Sequence, residues 1–177
     1  QSRQDIVDFS YPPEAEQFRK ELRAWLAANL TEEVVAAGRR RGRDPDTFET
    51  LRAWDATLAD AGWGAVSWPQ EYGGRGATVL EQLAYAEETT HARAPVPLNV
   101  IGMNNIAPAI MQYGTDDQKR ELLPRMVRAD DIWCQGMSEP EAGSDLASLR
   151  TRAVLDGDEY VVNGQKIWTS LGHRADW

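Results

Sequence analysis

The chain has 177 residues, 42% hydrophobic and 27% charged, the balance of a globular protein long enough for one domain or a domain and part of another. Its 28 acidic residues outnumber 19 basic ones, and the resulting net charge of −9 argues against nucleic acid or an anionic membrane as partner. No apolar run reaches the ~18–20 residues of a bilayer span, and the polar start Gln1-Ser-Arg-Gln-Asp has no signal-peptide core. The lone Cys134 excludes an internal disulfide, so cytoplasmic residence is the expectation.

The first three quarters of the chain reads as helices. Pro12-Pro13 suits a helix start, and Phe18, Leu22, Trp25, Leu26 and Leu30 recur at helical spacing beyond it. Arg39–Asp46 reads as a charged connector, with Asp46 as cap of a second helix that turns Phe48, Leu51, Trp54 and Leu58 inward before Gly62 stops it. A loop rich in Gly and Trp covers 62–76. Thr78 opens a helix to about Arg93 carrying Leu80, Leu83 and Ala84, and Pro95 and Pro97 break it. An apolar helix is expected over Leu98–Tyr113, and Thr115-Asp-Asp-Gln118 fits a capping box for the next, with Leu122, Leu123 and Met126 inward.

After Asp130-Asp131 the character changes. Ile132–Met137, Leu149–Leu155, Glu159–Val162 and Gln165–Thr169 read as strands, with Asn163-Gly164 as a two-residue hairpin turn. The expected fold class is therefore α+β, an all-α helical domain over 1–130 followed by the opening of a β-domain over 131–177. About four strands would leave unpaired edges and uncovered apolar faces. A fragment, or a sheet completed by other polypeptide, is the expectation.

Two runs stand out chemically. Cys134-Gln-Gly-Met-Ser-Glu-Pro-Glu-Ala-Gly-Ser-Asp145 gathers small residues and hydroxyls where backbone N–H groups can face a polar or anionic ligand. Gly164-Gln-Lys-Ile-Trp-Thr-Ser170 adds a large aromatic face and two more hydroxyls. Taken singly these residues have plainer readings: Glu139-Pro140 as a turn, Trp168 as hairpin packing, Asp145 as a local cap. Their joint occurrence in order points instead to an extended, planar, phosphorylated cofactor. Gly73-Gly74-Arg75-Gly76 lies between helices with the wrong spacing for a nicotinamide fingerprint and reads as a turn. Cys134 reads as packing, His91 and His173 have no partner at metal-ligand spacing, and Glu87-Glu88 and Asp116-Asp117 read as solvated. The short basic run Arg39–Arg41 reads as a loop contact.

The two runs resemble the flavin-site signatures of the acyl-CoA dehydrogenase family, (T/S)-E-P-x-A-G-S-D and G-x-K-x-W-(I/T)-(T/S), in order and at the family spacing. The 68–76 stretch is similar to the family's W-P-x-E-Y-G-G-x-G loop. The resemblance covers essentially the whole chain and about the first half of a typical member, whose β-barrel and C-terminal helical bundle continue further. It implies an FAD enzyme that forms a trans-2-enoyl-CoA and passes electrons to an electron-transfer flavoprotein. It also implies a dimer or tetramer of one or two subunit types. Gln135, Gly136, Met137, Ser138, Gly143, Ser144, Trp168, Thr169 and Ser170 match the cofactor-binding positions, with Ser144 also touching the pantetheine arm. The family's catalytic base, a glutamate, comes from helices downstream of residue 177, so no catalytic residue is assigned, and no metal. The acyl chain is expected near Asn99–Met111, with Ile101, Met103, Ile106 and Met111 as neighbours. The wording resembles a bacterial branch that handles steroid side chains and other bulky acyl-CoAs, some members of which pair a catalytic with a non-catalytic subunit. Oxidases and monooxygenases on the same scaffold are the other alternative.

Overall fold

The computed structural model describes residues 10–40 and 44–177. Helix α1 (Pro13–Asn29) starts on Pro12-Pro13 and buries Ala15, Phe18, Leu22 and Leu26 along one stripe. Helix α2 (Glu32–Arg40) has no counterpart in the sequence reading. Acids open it, Arg39 and Arg40 close it in accord with the helix dipole, and the Thr31 hydroxyl accepts the Val34 N–H at 3.2 Å. The expected connector from Arg39 therefore begins later, and the part of it at 41–43, with Arg41, lies outside the described residues.

Helix α3 (Pro45–Asp60) is capped by Asp44 rather than Asp46. Pro45 occupies the first helical position, where a missing N–H costs nothing, so the cap falls one residue earlier. Asp44 accepts the Thr47 N–H at 2.9 Å. The following loop is tight: a Cβ on Gly74 would fall 2.0 Å from the Trp68 carbonyl oxygen. Helix α4 (Val79–Ala92) carries a complete Thr78–Glu81 capping box. Its inward side is Ala84 and Glu88, while Leu80 and Leu83 stay largely exposed. Glu88, expected in solvent, is buried because Arg19 and Arg23 of α1 grip its carboxylate at 2.7–2.8 Å. The bond from Arg23 leads, with Arg19 behind it, in holding Glu88 down to about 2.

The single helix expected over Leu98–Tyr113 is interrupted. Gly102–Ile106 forms a π turn before α5 (Ala107–Tyr113), because the Ala107 N–H reaches the Gly102 carbonyl and Pro108 has no N–H to continue an α ladder. Helix α6 (Asp116–Val127) opens on the expected Thr115–Gln118 capping box and buries Leu123, Met126 and Val127. No described helix is long and apolar enough to cross a membrane.

These helices close on three apolar clusters. Phe18, Leu22, Leu26, Trp54, Leu58 and Trp63 form one, in which Phe18 meets Trp63 edge-on at 5.2 Å. Trp68, Met103, Ala107, Leu123 and Met126 form the second. Ala37, Phe48, Leu51, Leu98 and Ile132 form the third, against which Leu171 packs.

Beyond residue 130 only two strands pair: β1 (Arg152–Asp156) and β2 (Glu159–Asn163), antiparallel. Their turn is Gly157-Asp158, with Gly157 at φ +62°, not Asn163-Gly164. Gly164 serves a different need: a Cβ there would sit 2.1 Å from the Thr151 hydroxyl, so the backbones pass too closely for a side chain. The stretches expected as strands at Ile132–Met137 and Gln165–Thr169 run without forming a ladder. Both faces of the hairpin are exposed.

Candidate functional site

The two sequence runs lie side by side. The Ile167 N–H donates to the Ser138 carbonyl at 2.9 Å, and Lys166 Nζ donates to the Met137 carbonyl at 3.0 Å. A Cβ on Gly136 would meet Lys166 Cγ at 3.2 Å, so the first run also lies against the Lys166 side chain. Gln135 is half-buried and accepts from Asn105 Nδ2 at 3.2 Å, which joins this segment to the π turn. Met137 is 42% exposed, and neither its amide nor that of Ser138 donates to a described residue.

Glu139 fastens this arrangement, although the sequence reading gave it no role beyond a turn. It is buried, and its carboxylate accepts the Arg150 N–H at 2.7 Å, the Thr151 N–H at 2.8 Å and Lys166 Nζ at 3.0 Å. The Thr151 side chain and the Arg150 amide, followed by the Thr151 amide and Lys166, hold its pKa down to about 2 against the opposing effect of burial. One carboxylate thus ties the first run to the second and to the start of β1. The signal was present in both motifs, as an acid in one and a lysine in the other.

Trp168 follows at φ 57° with 85% of its surface exposed. It is not hairpin packing: the indole is exposed, one residue past the Ile167–Ser138 hydrogen bond. Leu171 also has positive φ, 63°, and is held by packing on the third cluster, so the 168–171 loop is over-determined from one side. Thr169 is half-buried and its carbonyl accepts the Gly172 N–H at 3.1 Å. Gly143 and Ser144 sit on an exposed turn beyond the Glu139–Ala142 bridge, with open space around Gly143 and no hydrogen bond to Trp168 among the described residues.

Ser170 opens onto a second feature, a cleft of about 820 Å³ between α2, the Arg93–Ile101 segment and the 170–171 loop. Its walls are mostly apolar, from Val35, Leu51, Pro95, Pro97, Leu98 and Ile101. The Pro95–Asn99 wall is pinned twice. Asp55, buried in α3, accepts the Leu98 N–H at 2.8 Å, and burial pushes its pKa up to about 7. Asn99, 1% exposed, donates to the Met126 and Asp131 carbonyls and accepts the Trp133 N–H, all within 2.9 Å. Of the four expected acyl neighbours only Ile101 lines this cleft; Met103, Ile106 and Met111 pack on the second cluster. Among the described residues no group of His, Cys, Asp and Glu could hold a metal.

The arrangement offers an exposed aromatic plane, unpaired backbone donors and glycine-opened space beside an apolar cleft. Residues of this chemistry suit an extended flavin.

Comparison with known proteins agrees in kind. Residues 12–130 match the family model described as acyl-CoA dehydrogenase, N-terminal domain, and residues 134–177 match the acyl-CoA dehydrogenase middle domain. The acyl-CoA dehydrogenase IpdE1 of Mycobacterium tuberculosis is 46% identical over 166 residues, 93% of this chain and 43% of that protein. The ChsE4-ChsE5 complex from the same organism has a chain 45% identical, with a TM-score of 0.76, over 96% of this chain and 42% of that one. A structure described as the Tcur3481-Tcur3483 steroid ACAD is 37% identical with a TM-score of 0.75, over 96% of this chain and 43% of that one. The chain thus spans somewhat under half the length of these relatives, all matched along its helical part and its small sheet. It belongs to the acyl-CoA dehydrogenase family.

Proposed function

We propose that this chain forms part of a cytoplasmic, FAD-dependent acyl-CoA dehydrogenase that converts a bulky acyl-CoA to its trans-2-enoyl thioester. The observation that carries the reading is the junction of Ser138 with Ile167, which sets the exposed Trp168 beside unpaired backbone donors while Ser170 reaches the apolar cleft. Residues 1–130 make the helical half of this reading and 131–177 the start of its β half.

Removing hydrogen from adjacent saturated carbons requires loss of an α-proton and transfer of a hydride from the β-carbon. Side chains cannot take the hydride, and that is the chemistry the flavin supplies when bound. This chain's residues hold and shield. Gln135, Gly136, Met137 and Ser138 present backbone donors and an apolar wall to the ring, and Gly143 and Ser144 follow the cofactor's chain, with Ser144 also meeting the substrate's pantetheine arm. Trp168 would pack against the flavin, and Thr169 and Ser170 would offer it their hydroxyls. The cleft's apolar walls receive the acyl group and exclude water from it. No base is assigned within this chain. Electrons leave to an electron-transfer flavoprotein, and the protein assembles as a dimer or tetramer.

A second reading has one observation behind it. The ChsE4-ChsE5 structure is a complex of two different proteins, which supports a two-subunit assembly in which this chain shapes a neighbour's site without holding flavin productively.

Absorbance of the purified protein during titration with acyl-CoA thioesters separates these. Bleaching of a flavin band is the expected result. Protein that stays colourless after incubation with FAD would replace the first reading with the second, and rapid reoxidation by dioxygen would mark an oxidase instead.

A further inference from the structure

The cleft beside Ser170 is apolar along its walls but not at its lip. Arg39, from the last turn of α2, and Arg93, the residue that closes α4, both line it. The segments that carry them touch: a Cβ on Gly38 would fall 2.8 Å from Pro95 Cγ, which sets the Gly38–Arg39 end of α2 against the stretch just after Arg93.

Neither guanidinium meets a carboxylate, a carbonyl or an aromatic ring among the described residues. Most other arginines are engaged. Arg19 and Arg23 hold Glu88, Arg125 holds Asp131, and Arg174 lies over the Phe48 ring. With nine more acids than bases in the chain, carboxylates are not scarce. Two guanidiniums that line one apolar cleft without a partner among the described residues leave their donors to solvent or to an anion. A planar fork of donors is suited to a carboxylate or phosphate, bound in bidentate fashion.

We propose that Arg39 and Arg93 form an anion-binding lip on the acyl cleft, which takes a carboxylate at the far end of the acyl group or a phosphate of the coenzyme. The proposal rests on the acyl-CoA reading above and narrows its substrate to thioesters that bring a negative group to this lip. The apolar walls would then hold the carbon skeleton and the lip its charged end.

The test is calorimetric binding of four CoA ligands to the purified protein, with any partner subunit that accompanies it, and to its Arg39→Gln and Arg93→Gln variants. The ligands are a straight ω-carboxyacyl-CoA, its methyl-terminated counterpart of equal length, and both as 3′-dephospho-CoA thioesters. Both arginines are exposed, so thermal melting should show the variants folded. The expected result is that each substitution lowers the preference for the carboxylated over the methyl-terminated ligand about tenfold, the size of one charge-assisted bond. A loss that follows the 3′-phosphate instead upholds the anion site and assigns it to the coenzyme. Equal effects on all four ligands overturn the proposal while leaving the acyl-CoA reading intact. Failure of every thioester to bind wild-type protein overturns both.

Discussion

The helical region and the region after residue 130 are built on opposite terms. From α1 to α6 most of the large apolar side chains bury one another, Leu80 and Leu83 apart, and buried polar groups such as Asn99 and Glu88 each have several partners. In the later region Val154, Leu155, Tyr160, Val161 and Val162 are all exposed, and order comes from a few polar ties centred on Glu139. A surface meant to receive a ligand keeps donors and aromatic faces unsatisfied, and it needs a satisfied scaffold beneath it. The seam between the two is narrow: Asn99 clamps the Asp131 and Trp133 backbone onto α6, and Asp176 and Trp177 close back onto Ile132 and Cys134.

The sharpest way to break this contrast is to remove apolar volume from each side. Leu123, fully buried, is expected to cost about 3–5 kcal/mol as Leu123→Ala, whereas Val161→Ala on the hairpin should change stability by under about 0.5 kcal/mol. Urea denaturation followed by tryptophan fluorescence measures both. Comparable losses would mean that the hairpin is covered in the protein as it exists, and the contrast would fall. At the seam, Asn99→Ala strands the Asp131 carbonyl and the Trp133 N–H, while the Met126 carbonyl keeps the Ala129 N–H at 3.3 Å, for an expected loss of about 2 kcal/mol. The same denaturation series checks it.

The helical region also carries a carboxylate whose burial works against it at neutral pH. Asp55 has a folded-state pKa of about 7, above its ordinary value of 3.8, because burial outweighs the Leu98 N–H bond. A raised pKa means that the folded state holds its proton more tightly than the unfolded one. Its stabilising contribution is complete below about pH 4 and is lost as pH rises to 7. Stability should therefore fall between pH 5 and 7 at up to ~1.4 kcal/mol per pH unit. Asp55→Asn should flatten that slope whatever it does to absolute stability. An unchanged slope would assign the pH dependence to another group.

Sequence periodicity was enough to read most of the scaffold. Phe18, Leu22 and Leu26, the Thr78 helix start and the Thr115–Gln118 capping box stand where the sequence put them. It missed α2, where only Ala37 is buried and the apolar stripe is too thin to see. It ran through the π turn because Pro108 and Gly102 act by backbone bonds that hydrophobic pattern does not encode. In the later region it read strands from β-branched residues, yet Ile132–Met137 and Gln165–Thr169 lack neighbouring strands to pair with. The turn at Gly157-Asp158 was obscured by Asn163-Gly164, whose glycine is required by the passage of Thr151. The motif residues were visible as a set, but the Glu139–Lys166 tie between them depends on residues 27 apart and needs coordinates.

That tie gives the smallest and most local effect. Glu139 shows the opposite pH behaviour to Asp55: its pKa is held down to about 2, so its stabilising contribution is present above about pH 4.5 and disappears as pH falls through 2. The Arg150 and Thr151 amides donate to it, and their hydrogen exchange reads it directly. In the wild type their protection should persist at pH 4, where an ordinary glutamate is already largely protonated. Glu139→Gln leaves a weaker acceptor and no charge for Lys166, so these two amides should exchange about tenfold faster while amides in α1 and α4 keep their rates. If the helices loosen as well, the two regions fold as one unit, and the division between a closed scaffold and an open receiving surface is not an energetic one.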